Sequence, residues 1–137
     1  MIRVMFLCTG NSCRSQMAEG FARELGKGII KAFSAGLNPA GLNQRAVKAM
    51  EEIGIDISAN QSKAIDTDLL GKMDVIITLC DHASEACPWT PPHIRRLHWS
   101  LPDPAKAEGT EEEIMREFRK VRDEIRARIE DFLKSLR

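Results

Sequence analysis

The chain has no net charge, no long apolar run and no closely spaced cysteine pair, and each absence removes a class of function. Its 20 Lys and Arg residues only balance its 20 Asp and Glu residues. It therefore lacks the surplus of cations that displaces counterions from a phosphate backbone, and nucleic acid is not an expected partner. The longest apolar runs, Val4 to Cys8 and Val75 to Cys80, fall far short of the ~18 residues that span a bilayer, so no membrane partner is expected either. The first run is also too short for the core of a secretory signal and leads into Thr9-Gly10-Asn11, not a small-residue cleavage site. A cytoplasmic location is expected. Cysteine is scarce, with Cys8 and Cys13 spaced C-x4-C and Cys80 and Cys87 spaced C-x6-C. Neither spacing is that of a zinc knuckle or a thioredoxin-like redox pair, and a zinc site built from Cys80, Cys87, His82 and His93 has the wrong intervals. In a reducing cytosol a structural disulfide framework is not expected, which leaves catalysis or the core as the use of these thiols.

What is present is the pattern of one soluble domain covering 1–137, with 43% hydrophobic and 29% charged residues. Residues 2 to 8 read as a buried strand running into a tight loop. From Ser15, the residues Met17, Ala18, Phe21, Ala22 and Leu25 recur at helical spacing up to Gly26. Ile29 to Ser34 reads as a second strand, and Leu42, Ala46, Val47, Met50 and Ile53 as the stripe of a second helix ending at Gly54. A short helix is expected over Asp66 to Gly71, a third strand over Asp74 to Leu79 and a fourth over Arg95 to Trp99. Thr110-x-x-Glu113 is a capping box that opens a long helix through Phe118, Val121, Ile125, Ile129, Phe132 and Leu136. Strands alternating with helices imply an α/β fold: a small doubly wound domain with a central four-stranded parallel sheet and helices on both faces. The proline-rich stretch from Cys80 to Pro104 reads as long loops around one short strand.

The chemistry concentrates at the carboxyl end of the first strand, where ligands of parallel sheets bind. There Cys8-Thr9-Gly10-Asn11-Ser12-Cys13-Arg14-Ser15 leads directly into a helix. Successive backbone N–H groups of such a turn converge as an anion nest, the helix dipole adds positive potential, and Arg14 offers a planar fork to two oxyanion oxygens. The same field favours the thiolate of Cys8 and makes it a nucleophile, to which Ser15 can donate. Cys13 reads as structural, and His93, His98 and Trp99 fall in no functional pattern.

This C-x5-R-S string in its strand-to-helix setting resembles the low-molecular-weight tyrosine phosphatase superfamily, and most closely its thioredoxin-coupled arsenate reductases. The likeness extends through SAGL at 34 to 37, AVKAMEEIGIDIS at 47 to 58, TLCDHASEACP at 78 to 88, Asp103-Pro104 and GTEEE at 109 to 113. It implies Cys8 as nucleophile, Thr9 to Ser15 as the oxyanion-binding loop with Asn11 shaping it and Arg14 gripping the anion, and Asp103 as general acid. It also implies Cys80 and Cys87 as two further redox cysteines that complete a thiol relay reducing arsenate, with no tightly bound cofactor and with electrons from reduced thioredoxin. A tyrosine phosphatase of the same fold is the alternative. Such an enzyme has no use for Cys80 and Cys87, however, would usually show Pro where Gln16 stands, and would place tyrosines beside its acid, whereas this chain has none. A binding-only oxyanion sensor lacks any motif for a partner surface. His82 is a candidate for tuning a neighbouring thiol. Some relatives of this kind hold an alkali cation behind the loop, on positions that match Asn11, Glu19 and Ser34. Lys63 then falls at or beside a fourth, acidic position, where it is either an ammonium that replaces the ion or a solvated surface lysine. A monomer is expected.

Overall fold

The computed structural model describes residues 1–136, whose strands form a four-stranded sheet in the spatial order β2-β1-β3-β4. In chain order the elements are β1 (Ile2–Cys8), α1 (Arg14–Leu25), β2 (Ile30–Gly36), α2 (Gln44–Glu51), α3 (Thr67–Leu70), β3 (Val75–Thr78), α4 (Asp81–Ala86), β4 (Arg95–His98), a 3-10 turn at Pro104–Lys106 and α5 (Glu111–Ser135). Every strand pair is parallel. Val4 to Leu7 and Val75 to Ile77 are buried throughout. Because alternate residues point to opposite faces, both faces of the two central strands must be covered, which is why these strands read as unbroken apolar runs. On one face Phe6 lies 6.2 Å from Trp99, and Trp99 meets Phe132 of α5 edge-on at 6.4 Å.

The helix boundaries follow from local capping. The Asn43 side chain accepts from the amides of Arg45 and Ala46, so α2 starts after Leu42, and Gly54 with φ +81° turns the chain away beyond it. Leu42 and Ile53, which the apolar stripe assigns to this helix, lie outside it, yet both pack on the core. α5 carries both halves of its capping box, Glu113 N–H to Thr110 and Thr110 N–H to Glu113. β2 runs past the expected Ser34, since Ala35 and Gly36 pair with Leu7 and Cys8. The stretch from Cys80 to Pro104 is not all loop. Asp81–Ala86 is helical and Asp103 caps the 3-10 turn. In the six-residue helix only Ala83 is buried, so no apolar stripe advertises it.

Two consequences position the site. The order 2-1-3-4 sends the chain one way from β1 to β2 and the other way to β3, which opens a crevice between the carboxyl ends of β1 and β3. Cys8 ends β1 on one side of that crevice, and Cys80 follows β3 on the other. Behind them, α2 is tied to α5 by Glu52, which accepts from Arg119 at 2.9 Å and Arg122 at 3.0 Å, while buried Arg122 also donates to the Ala49 carbonyl at 2.9 Å. These guanidinium contacts hold the Glu52 carboxyl below its usual range, those of Arg119 first. Arg122→Ala leaves the Ala49 carbonyl without its buried donor. It should lower stability by about 2 kcal/mol, read as a lower urea midpoint at unchanged m, and Arg122→Lys should restore only part because it lacks the fork.

Candidate active site

The loop between β1 and α1 is turned inside out by its surroundings. The carbonyl of Thr9 accepts from Asn38 N–H (2.8 Å), that of Gly10 from Ala40 N–H (3.0 Å) and the Ser62 hydroxyl (2.9 Å), and that of Ser12 from Asn43 N–H (3.1 Å). The Asn11 carbonyl accepts from the Gln16 side chain at 3.1 Å. In a planar trans peptide the N–H points opposite to the C=O, so four carbonyls facing out turn the amides of Gly10, Asn11, Ser12 and Cys13 inward. The inward direction is direct for Asn11, whose N–H donates to Cys8 Sγ at 3.2 Å. Asn11 holds this turn at φ +45°, a left-handed conformation that Asn tolerates better than most residues. Its Nδ2 also donates to Ser15 Oγ at 2.7 Å, which leaves the Ser15 hydroxyl proton for Cys8 Sγ, 2.9 Å away. Cys8, 3% exposed, thus has its sulfur within reach of the Asn11 N–H and the Ser15 hydroxyl.

Over this nest lies a cavity of about 290 Å³ lined by Cys8, Ser12, Arg14, Asp103 and Ala40 among others. Arg14, the first residue of α1, is buried, donates to the Leu101 carbonyl at 2.9 Å and lies 3.7 Å from an Asp103 carboxylate oxygen. Asp103, one-quarter exposed, is fixed by accepting from Ala105 N–H. Cys8, Arg14 and Asp103, from which the sequence resemblance expects a nucleophile, an anion-gripping cation and a general acid, thus line one pocket. Thr9, Arg14 and Asp103 also wall a second cavity of about 370 Å³ that contains Cys80, His82 and Lys106. Cys80 caps α4, with its sulfur accepting from Ala83 N–H at 3.4 Å and 3.3 Å from the Thr9 hydroxyl. Cys87 ends the same helix, half-buried, and its thiol is pushed up by burial, with Arg96 opposing. Beside it Trp89 is 81% exposed. His82 is an exposed residue at the second cavity and Cys13 is 4% exposed, its thiol pushed up to about 12 by burial and then by Asp103.

Behind the loop the structure rejects the ion-replacing reading of Lys63 in favour of the solvated one. The Lys63 ammonium is exposed and donates to the Gln61 carbonyl at 2.7 Å, so it does not reach Glu19. It is the Lys63 backbone that serves the site, its N–H donating to Asn11 Oδ1 at 2.9 Å and its carbonyl accepting from Gly36. Glu19 is instead held by the Ser34 hydroxyl (3.1 Å), Asn60 Nδ2 (3.0 Å) and Arg23 (3.8 Å). The physical reason is reach: a lysine stem beside bulk water keeps its charge hydrated when a local carbonyl suffices. Among the described residues there is no group of three or more His, Cys, Asp or Glu side chains arranged to hold a metal. Sequence reasoning missed Gln16 as a structural partner. Its Nε2 lies within 3.1 Å of Asn11 O, Asn11 Oδ1 and the Gln61 carbonyl, and its Oε1 accepts from Asn60. Its only signal was that proline is usual there.

Residues 3–137 match the family described as low molecular weight phosphotyrosine protein phosphatase. An arsenate reductase of Bacillus subtilis is 54% identical over 129 residues, covering 94% of this chain and 93% of that protein. Among solved structures, an arsenate reductase in a phosphate-binding state superposes with a TM-score of 0.82 at 37% identity, each chain covered completely. A thioredoxin-dependent arsenate reductase from Corynebacterium glutamicum superposes with a TM-score of 0.81 at 26% identity, covering 98% of this chain and 61% of that one.

Two outcomes follow from the loop geometry. A Cβ on Gly36 would lie 2.7 Å from the Asn11 nitrogen and 2.8 Å from the Thr9 oxygen, both backbone atoms. Gly36→Ala should therefore weaken inorganic phosphate binding at least roughly tenfold by calorimetry, through one or more misdirected N–H donors. With iodoacetamide at pH ~8, well below the Cys13 thiol at about 12, Cys13 should stay unmodified in the folded protein and be labelled in urea.

Proposed function

We propose, on the premise that the chain belongs to the low molecular weight phosphotyrosine protein phosphatase family, that it is an arsenate reductase acting through Cys8, Cys80 and Cys87, with electrons from reduced thioredoxin. The observation that carries the reading is the place of Cys80: its sulfur contacts Thr9, the first residue of the loop that holds the Cys8 nucleophile. A hydrolase needs no second thiol there. A reductase must move two electrons, and a second sulfur beside the first can accept that task.

The geometry supports the following steps. The Cys8 thiolate attacks arsenic while the loop amides and Arg14 bind the remaining oxygens, and Asp103 protonates the oxygen that leaves as water. The Cys80 thiolate then attacks Cys8 sulfur. The S–S bond forms, the S–As bond breaks, and its electron pair stays on arsenic, which departs as arsenite. Cys87 attacks Cys80 in turn and frees Cys8. The Cys80–Cys87 disulfide is reduced by the thioredoxin dithiol through ordinary exchange, so no resident cofactor is required. Half-buried Cys87 beside exposed Trp89 supports this last exchange, because it is the sulfur of the three that a partner protein can reach. The relay operates as a monomer in the cytoplasm, where thioredoxin keeps thiols reduced.

Arsenate-dependent NADPH consumption with thioredoxin and its reductase tests the reading. Cys8→Ser, Cys80→Ser and Cys87→Ser should each abolish steady turnover, whereas Cys87→Ser should still release one arsenite per chain. Full turnover without Cys80 or Cys87 would overturn the relay. Since Cys8, Arg14 and Asp103 suit phosphate as well as arsenate, slow hydrolysis of p-nitrophenyl phosphate should survive loss of Cys80 and Cys87 and vanish in Cys8→Ser.

A further inference from the structure

Asp81, His98 and Ser100 take no part in those steps, yet they fasten the residue next to Cys80. Asp81 opens α4, and its Oδ1 accepts from His98 Nε2 at 2.9 Å and from the Ser100 hydroxyl at 3.1 Å. His98 Nδ1 lies 2.7 Å from Thr78 Oγ1, which is also 3.3 Å from the Leu97 carbonyl. A neutral His98 accepts the Thr78 proton at Nδ1. A protonated one donates there while the Thr78 hydroxyl turns to Leu97. In both forms Nε2–H donates to Asp81, so the tie does not depend on the charge of the ring. These donors help to hold the Asp81 carboxyl below its usual range, His98 first. They stand at the carboxyl ends of β3 and β4, and on the other side of Cys80 the Leu79 amide donates to Leu7 of β1 at 2.9 Å. Cys80 is thus pinned from both neighbours, with its sulfur on Thr9.

The far end of α4 sets an opposite demand. Cys80 and Cys87 cap the two ends of the helix, so at a rise of ~1.5 Å per residue their backbones stand about 10 Å apart. A disulfide needs Cα atoms within ~7 Å, so the two sulfurs cannot join until α4 unwinds. We propose that Asp81, held by His98 and Ser100, is a positioning latch: it keeps Cys80 directed at Cys8 and keeps α4 wound, so that Cys80 and Cys87 do not join before the first disulfide has formed. Joined early, the two thiols would lose two electrons to any available disulfide, such as oxidised glutathione, which would leave as two molecules of glutathione, and Cys8 would be left with no resolving thiol. The latch rests on the relay proposed above.

Asp81→Ala separates these statements in three assays. In a Cys87→Ser background, the single-turnover rate of arsenite release and Cys8–Cys80 disulfide formation should fall roughly tenfold, the rate equivalent of one charge-assisted hydrogen bond. In a Cys8→Ser background, closure of Cys80–Cys87 by oxidised glutathione should accelerate by about the same factor, which no general loss of structure at Cys8 would produce. Hydrolysis of p-nitrophenyl phosphate, which uses neither Cys80 nor Cys87, should stay unchanged. An unaltered rate in either thiol assay, or a parallel loss of phosphatase turnover, overturns the latch. If the Cys87→Ser parent itself releases no arsenite, the relay has failed, and the glutathione assay still judges α4 by itself. Should Asp81→Ala not fold, His98→Ala, which removes the Nε2 donor to Asp81, supplies the same three readings.

Discussion

The orientation of the peptide groups between Cys8 and Arg14 is the constraint on which the rest depends. A thiolate and an oxyanion repel one another, and they share a pocket only if donors are already aimed at both. Here the donors are main-chain amides, and what aims them is the set of acceptors outside the loop: each outward carbonyl is taken up by Asn38, Ala40, Asn43, Ser62 or Gln16. Asn11 carries both roles, since its backbone N–H meets the sulfur while its side chain locks Ser15, Gln16 and Lys63 around it. Gly36 is needed behind it for a simple reason: there is room for a hydrogen and none for a carbon.

Much of this was legible in the sequence because it depends on local order. The strand-loop-helix unit from Ile2 to Leu25 is contiguous, and within it the gathering of Cys8, Arg14 and Ser15 around one turn follows from spacing. The sheet followed from alternation, and α5 from its capping box and apolar stripe. What was not legible depends on distant partners or on short elements. α4 has one buried residue, and one apolar side chain has no period. Gln16, Asn60 and the backbone of Lys63 act across more than 40 positions of chain. The misplacement of the Lys63 ammonium has the same origin: register along the chain indicates which residue is near a site but not which of its atoms turns toward it.

The two cavities share a wall of Thr9, Arg14 and Asp103, with Cys8 opening on one side and Cys80 on the other. In the proposed relay this arrangement separates the chemistry on the anion from the chemistry among sulfurs while keeping them a side chain apart. The switch point of the sheet makes it possible. β1 and β3 are adjacent and parallel, so residues that follow each of them emerge at the same edge although more than 70 positions separate them in the chain.

That separation also bears on how the protein is made. Cys8 and its loop leave the ribosome before the rest of the sheet, but apart from Gln16 the groups that turn the loop outward lie at 38 to 43 and at 62, and the carbonyl that holds Arg14 lies at Leu101. A nascent chain that has exposed only β1 and α1 carries Cys8 without the partners that turn the loop amides toward it. Such non-local pairings form late because the loops they close are long. The loop around Cys8 therefore acquires its inward amides only once most of the sheet is complete, and a truncated product of translation would carry Cys8 without the anion nest.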